Sequence, residues 1–430
     1  MSSRRLSRSC LVALACTAGP AFAQTANIKP PIAQAWIDVA TFSGMGMPMG
    51  GLSGDTPLSA LGSLFGGGAT KNAFGHTQTG SAGRWVDVTL HTRNNPTLAS
   101  AQQAVPTAFL TPALRLEAPL EVKGRPPAPA DDEKVVDPDY EKPKGRLLLY
   151  WGCGAQIRPG QPKVLDMATA TVADLGRFFV SRRATQRGAH SAPGRPQWPS
   201  PNDPRMVPEG ASLVGAHAFS GAGVPEDFRF QLPPMQDLMP PLKVRQASQD
   251  GANQLTWADL PTARAYFIAG MGAGKDEEMV LWTSSELPDT GFGLTDYQTN
   301  AAVDRWLREK VLLPAGTTQC TVPKGVFPGE GGMLRMIAYG NELNLVHPPR
   351  PTDPKAVWEP NWALKVRVKS VASLMPGMPD GEDLPTAGRS RAGQPGRTSP
   401  PPAAPAPAQP PEEKPALPKA LDLLRGILGR

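Results

Sequence analysis

Histidine, cysteine and long apolar runs are scarce in this chain, and each scarcity removes a class of function. Five histidines (His76, His91, His190, His217 and His347) are spread over 430 residues. None stands in the H-E-x-x-H spacing that would set two imidazoles and a general base on one helix face. No G-x-S-x-G turn presents a serine nucleophile. The carboxylates are scattered through polar segments, so no acid–base pair can be named and no catalytic residue is assigned. No apolar run approaches the ~20 residues needed to cross a bilayer. Residues 270–275 (Gly270-Met-Gly-Ala-Gly-Lys275) have the glycines of a phosphate loop. Ala269 and Asp276 stand where such a loop needs Gly and Ser or Thr, so a glycine-rich hairpin is expected and no cofactor is implied.

Of the four cysteines, Cys10 and Cys16 lie in the opening stretch. There Arg4, Arg5 and Arg8 precede a short apolar run over residues 10–18, followed by Ala21-Phe22-Ala23. A basic start, a short apolar centre and an A-x-A end form the pattern of a secretory leader. A signal peptide over residues 1–23 is expected, with a lipoprotein cut before Cys16 as the other reading. Losing the leader takes the formal charge from +6 to +3, so nothing calls for nucleic acid. Cys153 and Cys320 remain, an even pair for an oxidising compartment, and a disulfide between them is expected. Two buried thiols are the alternative.

Glycine (44 residues) and proline (50 residues) are abundant, so much of the chain should be loop or tail. Between them lie short alternating runs, and the fold class is expected to be mainly β, with two β-sandwich-like domains. The first domain spans residues 24–236. Its strands are expected over 35–42, 84–92, 113–122, 145–153, 172–180, 212–220 and 227–232. In the second of these, Val86, Val88 and Leu90 face the core, while Trp85, Asp87, Thr89 and His91 share the other face. A Gly- and Met-rich excursion (43–83) and a Pro-rich loop (124–144) interrupt this domain, and a proline-rich joint closes it. Residues 237–349 form a second sandwich with an inserted helix over 300–310, Asn300 being its N-cap. Residues 350–375 supply one more strand that returns to the body, with Val366 and Val368 on one face and Lys365, Arg367 and Lys369 on the other. Residues 376–416 read as a flexible proline-rich tail, and 417–430 as a short amphipathic helix.

Within the second sandwich, Leu255, Trp257, Pro261, Ala265 and Phe267 follow the order Leu-x-Trp, Pro, Ala-x-Phe. This resembles strands B and C of fibronectin-III and immunoglobulin-like modules. The resemblance covers about a quarter of the chain and implies a fold rather than an activity. The overall organisation resembles that of secreted proteins of Gram-negative bacteria.

Three sets of side chains are candidates for contact with a ligand or partner. Met45, Met47 and Met49, with His76 following, offer soft ligands of the kind that suits Cu(I); apolar filler is the plainer reading. Arg182, Arg183, Arg187 and Arg195 lie in one loop and could meet an anionic ligand, though a solvated loop needs the same residues. Leu417, Leu421, Leu424 and Leu428 form a stripe on the terminal helix, suited to a partner groove or a membrane surface, or to folding back on the body. The function expected is an exported, non-catalytic binding or scaffolding protein of the cell envelope, periplasmic or secreted. Its partner would be an envelope protein, a lipid surface or a glycan. An envelope hydrolase with an inter-domain pocket and a periplasmic copper-handling protein are the alternatives.

Overall fold

The computed structural model describes residues 29–44, 72–79, 81–120, 145–182, 188–275, 278–328, 332–353 and 356–376. The expected leader, Met45–Met49, Arg183, Arg187, the expected loop 124–144 and the expected tail with its leucine stripe lie outside the described residues. The described chain is mainly β. Its strands in the first half are β1 (Ala33–Gly44), β2 (Gly83–Thr92), β3 (Ser100–Ala104), β4 (Leu114–Glu117), β5 (Arg146–Trp151), β6 (Lys163–Asp166), β7 (Gln197–Trp198), β8 (Gly215–Ser220) and β9 (Arg229–Leu232). The second half supplies β10 (Val244–Gln249), β11 (Ala252–Trp257), β12 (Ala265–Ala273), β13 (Met279–Thr283), β14 (Leu313–Pro314), β15 (Gln319–Val322), β16 (Met333–Tyr339), β17 (Leu343–His347) and β18 (Trp362–Leu374).

Among the described residues, one large sheet runs β6-β5-β13-β12-β16-β18-β1-β2-β7-β4-β3-β8-β9, with β14 beside β12 and β17 beside β18. A smaller sheet runs β10-β11-β15. The large sheet crosses from one half of the sequence to the other without a break. Its centre pairs β1 with β18 in parallel, from Ala33 opposite Trp362 to Gly44 opposite Ser373. β5 likewise lies parallel to β13.

Alternation along these strands sorts side chains onto two faces. The inner face carries Ile37, Val39, Val88, Leu90, Val366 and Val368, all buried in one continuous core. In the second half the small sheet covers this face, with Trp257 set edge-on to Tyr266 at 5.6 Å. In the first half the far end of the large sheet curls back. Phe228 stacks on Trp362 of β18 at 4.8 Å, and the Trp362 indole donates to the Asp227 carbonyl at 2.8 Å. The proline-rich joint crosses the same face. Thr41, Ser43 and Ser370 donate to the carbonyls of Met239, Leu242 and Pro240, so its exposed backbone acceptors are satisfied. The joint's proline content limits its freedom, and these bonds fix its path.

Three short helices lie among the described residues: α1 (His76–Thr79), α2 (Val172–Phe178) and α3 (Asn300–Arg308). The second replaces an expected strand over 172–180. Thr171 accepts from the Asp174 amide while Asp174 accepts from the Thr171 amide, a capping box that starts a helix. The N-cap of α3 is Thr299 rather than Asn300. Asn300 instead clamps Glu342, donating to its carbonyl at 2.8 Å and accepting from its amide at 2.9 Å.

Candidate functional site

The outer face of the central strands is where charge collects. Sequence alternation places Trp36 and Asp38 on this face of β1, Asp87 and Thr89 on β2, and Lys365, Arg367 and Lys369 on β18. Register then sets Asp38 between Asp87 and Arg367, and Trp36 between Thr89 and Lys365. These are buried positions: Asp38 is 0%, Asp87 2%, Arg367 5% and Lys369 1% exposed. A buried charge is tolerable only when paired and hydrogen-bonded. Arg367 meets Asp38 with two donors, at 2.7 and 2.5 Å, and the Ala189 amide adds a third bond to Asp38 at 3.0 Å. Burial opposes the Arg367 charge, but Asp38 outweighs it and holds the guanidinium pKa above its usual value.

Lys369 reaches Asp296 at 2.9 Å and lies 4.1 Å from the centre of the Tyr297 ring; Arg367 lies 4.3 Å from the same ring. The Tyr297 hydroxyl donates to the Val39 carbonyl at 3.0 Å, and burial drives its pKa well above the ordinary tyrosine value. Asp87 accepts from the Gly75 amide at 2.9 Å, the Thr77 amide at 3.1 Å and the Thr77 hydroxyl at 2.5 Å, so it pins α1 to the sheet. Desolvation is the largest influence on this carboxyl and raises its pKa to about 6 despite these donors. Arg335 of β16 is the exception to pairing: it is 4% exposed and its Nε has no partner.

A strap over residues 188–195 lies across this face. It can approach because Gly188 has no side chain; a Cβ there would sit 1.6 Å from an Arg367 nitrogen. Arg195 places its guanidinium 5.0 Å from the centre of the Trp36 ring, and His190 meets the same indole edge-on at 5.8 Å.

The residues anticipated from sequence are dispersed. Arg182 pairs with Asp289 and Glu309 and covers the Trp306 ring at 4.6 Å, so it belongs to the packing around α3. Arg195 alone of the described loop arginines joins the central face. His76 stacks on Trp85 at 4.2 Å. Among the described residues no group of three or more His, Cys, Asp or Glu side chains is placed to hold a metal ion. His217 lies in β8, bonded to the Leu213 carbonyl at 2.8 Å and to Gln103 at 3.2 Å, the surroundings of a packed strand histidine. Cys153 and Cys320 are joined, with a Cα separation of 5.2 Å, across 167 residues. The bond ties the segment after β5 to β15 and so links the large sheet to the small one. A shallow groove of about 580 Å³ opens on β3 and β4, lined by Ser100, Gln102, Arg115, Glu117 and Ser220 among others.

Sequence reading missed Asp38, Asp87, Arg367 and Lys369 as a set. The signal was present: two strands carrying acid on their polar face and one carrying base. What was absent was any local cue that these strands are neighbours. Compared with known proteins, the chain matches no family model, no curated protein and no solved structure.

Proposed function

We propose that the chain is an exported, non-catalytic binding or scaffolding protein of the cell envelope, held in the periplasm or secreted. The observation that carries the reading is how the central carboxylates are used. Asp38 and Asp87 stand side by side, and a carboxyl raised to about 6 beside another is a feature of acid–base sites. Yet both are buried, and their oxygens are taken by Arg367, Ala189, Gly75 and Thr77. Such groups brace a sheet and have no free face for a substrate. The Cys153–Cys320 bond favours an oxidising compartment, in keeping with the leader pattern.

For the second half the scaffold proposed is a fibronectin-III-like module. In its favour, the three-stranded sheet β10-β11-β15 packs over strands of the large sheet, with Trp257 of β11 edge-on to Tyr266 of β12. No helix among the described residues is long and apolar enough to cross a membrane.

The test is crosslinking in intact cells followed by fractionation. Recovery with the envelope, with the leader removed and a reproducible crosslinked partner, is the expected result. Recovery from the cytosol with the leader intact overturns the proposal.

A further inference from the structure

A row of buried polar atoms beneath the strap has no partner. Trp36, Thr89 and Gln197 are in cross-strand register over β1, β2 and β7, so their side chains share one face. Trp36 Nε1, Thr89 Oγ1 and Gln197 Oε1 are buried without a hydrogen bond, and so is Nε of Arg195 above them. Trp36 is 5% and Thr89 0% exposed. Buried polar groups are nearly always paired, and each one left unpaired disfavours the closed arrangement. Four in one place call for something that supplies both acceptors and a donor.

The charge around them gives its sign. Arg195 has no carboxylate partner among the described residues. Its Nη1 lies 2.9 Å from His190 Nδ1, which also lies 2.9 Å from the Gly188 carbonyl. One ring nitrogen can serve only one of these, so either the Arg195 donor or the Gly188 acceptor goes without. His91 lies two residues from Thr89 on the same face. Burial comes first in lowering the pKa of His91 and of His190, and Arg195 adds to it in both. On β18, Lys365 stands opposite Trp36, with Glu342 at 3.7 Å, and Arg367 is already neutralised by Asp38. The polar row is therefore bordered by Arg195, which has no carboxylate partner among the described residues, by two imidazoles whose protonation burial disfavours, and at its far end by Glu117 of β4, which stands opposite Gln197 and accepts two hydrogen bonds from Asn202.

We infer that the face of β1 and β2 under the strap 188–195 is a binding site for a small oxyanion, a phosphate, sulfate or carboxylate group. Arg195 Nε and Trp36 Nε1 donate to its oxygens and Thr89 donates or accepts; of the three groups phosphate alone keeps an O–H near neutral pH, and that O–H donates to Gln197 Oε1. With the strap closed these four atoms see neither solvent nor partner, so the ligand enters as the strap lifts. Binding tightens as pH falls, because an anion favours protonation of His91 and His190.

The test is calorimetric titration of the full chain with inorganic phosphate, sulfate and acetate, with amide exchange followed at Ala189 and Leu90, whose N–H groups bond to Asp38 and Pro196. Saturable binding of at least one anion, with slower exchange at both amides, is expected. Arg195→Met should weaken it by roughly tenfold or more, the effect of losing a charged hydrogen bond. Thr89→Val keeps the shape of the side chain and removes an unsatisfied hydroxyl. It should melt higher than the parent yet bind the anion less well, which a defect of folding would not produce. Absence of saturable binding by the folded parent overturns the inference. So does unchanged affinity in Arg195→Met or, should that variant not fold, in Thr89→Val.

Discussion

The two faces of β1 and β18 are built on opposite principles. Inward, Ile37, Val39, Val366 and Val368 stack as hydrocarbon and need no specific partner. Outward, Asp38, Arg367 and Lys369 are buried to a similar degree and hold because Asp38 meets Arg367 in register and Asp296 reaches Lys369 from outside the sheet. The apolar face tolerates imprecision. The polar face specifies which strand lies beside which, since a one-residue slip would turn Asp38 and Arg367 onto the hydrocarbon side.

The largest effect expected on this contrast comes from the inner side. Replacing Cys153 and Cys320 together by Ala frees the small sheet from the large one and opens a loop of 167 residues. Chain entropy predicts a loss of roughly 5 kcal/mol in denaturant unfolding. On the outer side, Arg367→Met leaves Asp38 buried and unpaired and should cost about 3–5 kcal/mol. Adding Asp38→Asn to that variant should recover part of the loss. If the single variant costs no more than a surface change, the outer face is not the register lock described above.

Asp87 gives the contrast a pH signature. Its folded pKa of about 6 lies above the ordinary carboxyl value, so the folded state binds the proton more readily than the unfolded chain. The stability this group contributes is fully present below about pH 4 and is lost as pH rises through about 6, amounting to about 3 kcal/mol. Stability curves for the parent and Asp87→Asn should therefore differ in slope between pH 4 and 6 and run parallel above. The smallest effect is a gain: Thr89→Val should stabilise by about 1 kcal/mol, because it removes a buried hydroxyl without a partner.

What could be read in advance follows from the range of each cue. Period-two alternation is local, and it marked β2, β12, β13, β16 and β18 as strands. The spacing of Val303 and Trp306 marked α3. Where the expected strand over 172–180 failed, the capping pair Thr171 and Asp174 starts a helix instead. The candidate face was illegible for a different reason. Its members come from residues 36–38, 87–89, 188–197 and 365–369, and three strand pairings, β1 with β18, β1 with β2 and β2 with β7, bring them together. Lys365, Arg367 and Lys369 read as a water-facing row because nothing nearby in sequence says that Asp296 and Asp38 will cover two of them. Arg195 looked like any arginine in a proline-rich loop until the loop crossed Trp36.

Placing the thirty-third residue against the three hundred and sixty-second has a temporal cost. The middle of the large sheet is absent until synthesis has passed β18, so β1, β16 and β17 each wait for it with an edge open. A polypeptide threaded through a membrane from its leading end would meet the same delay on the far side. Its first strand would emerge early, pair with β2 and keep its other edge open until the last strand arrived, which postpones closure of the sheet to the end.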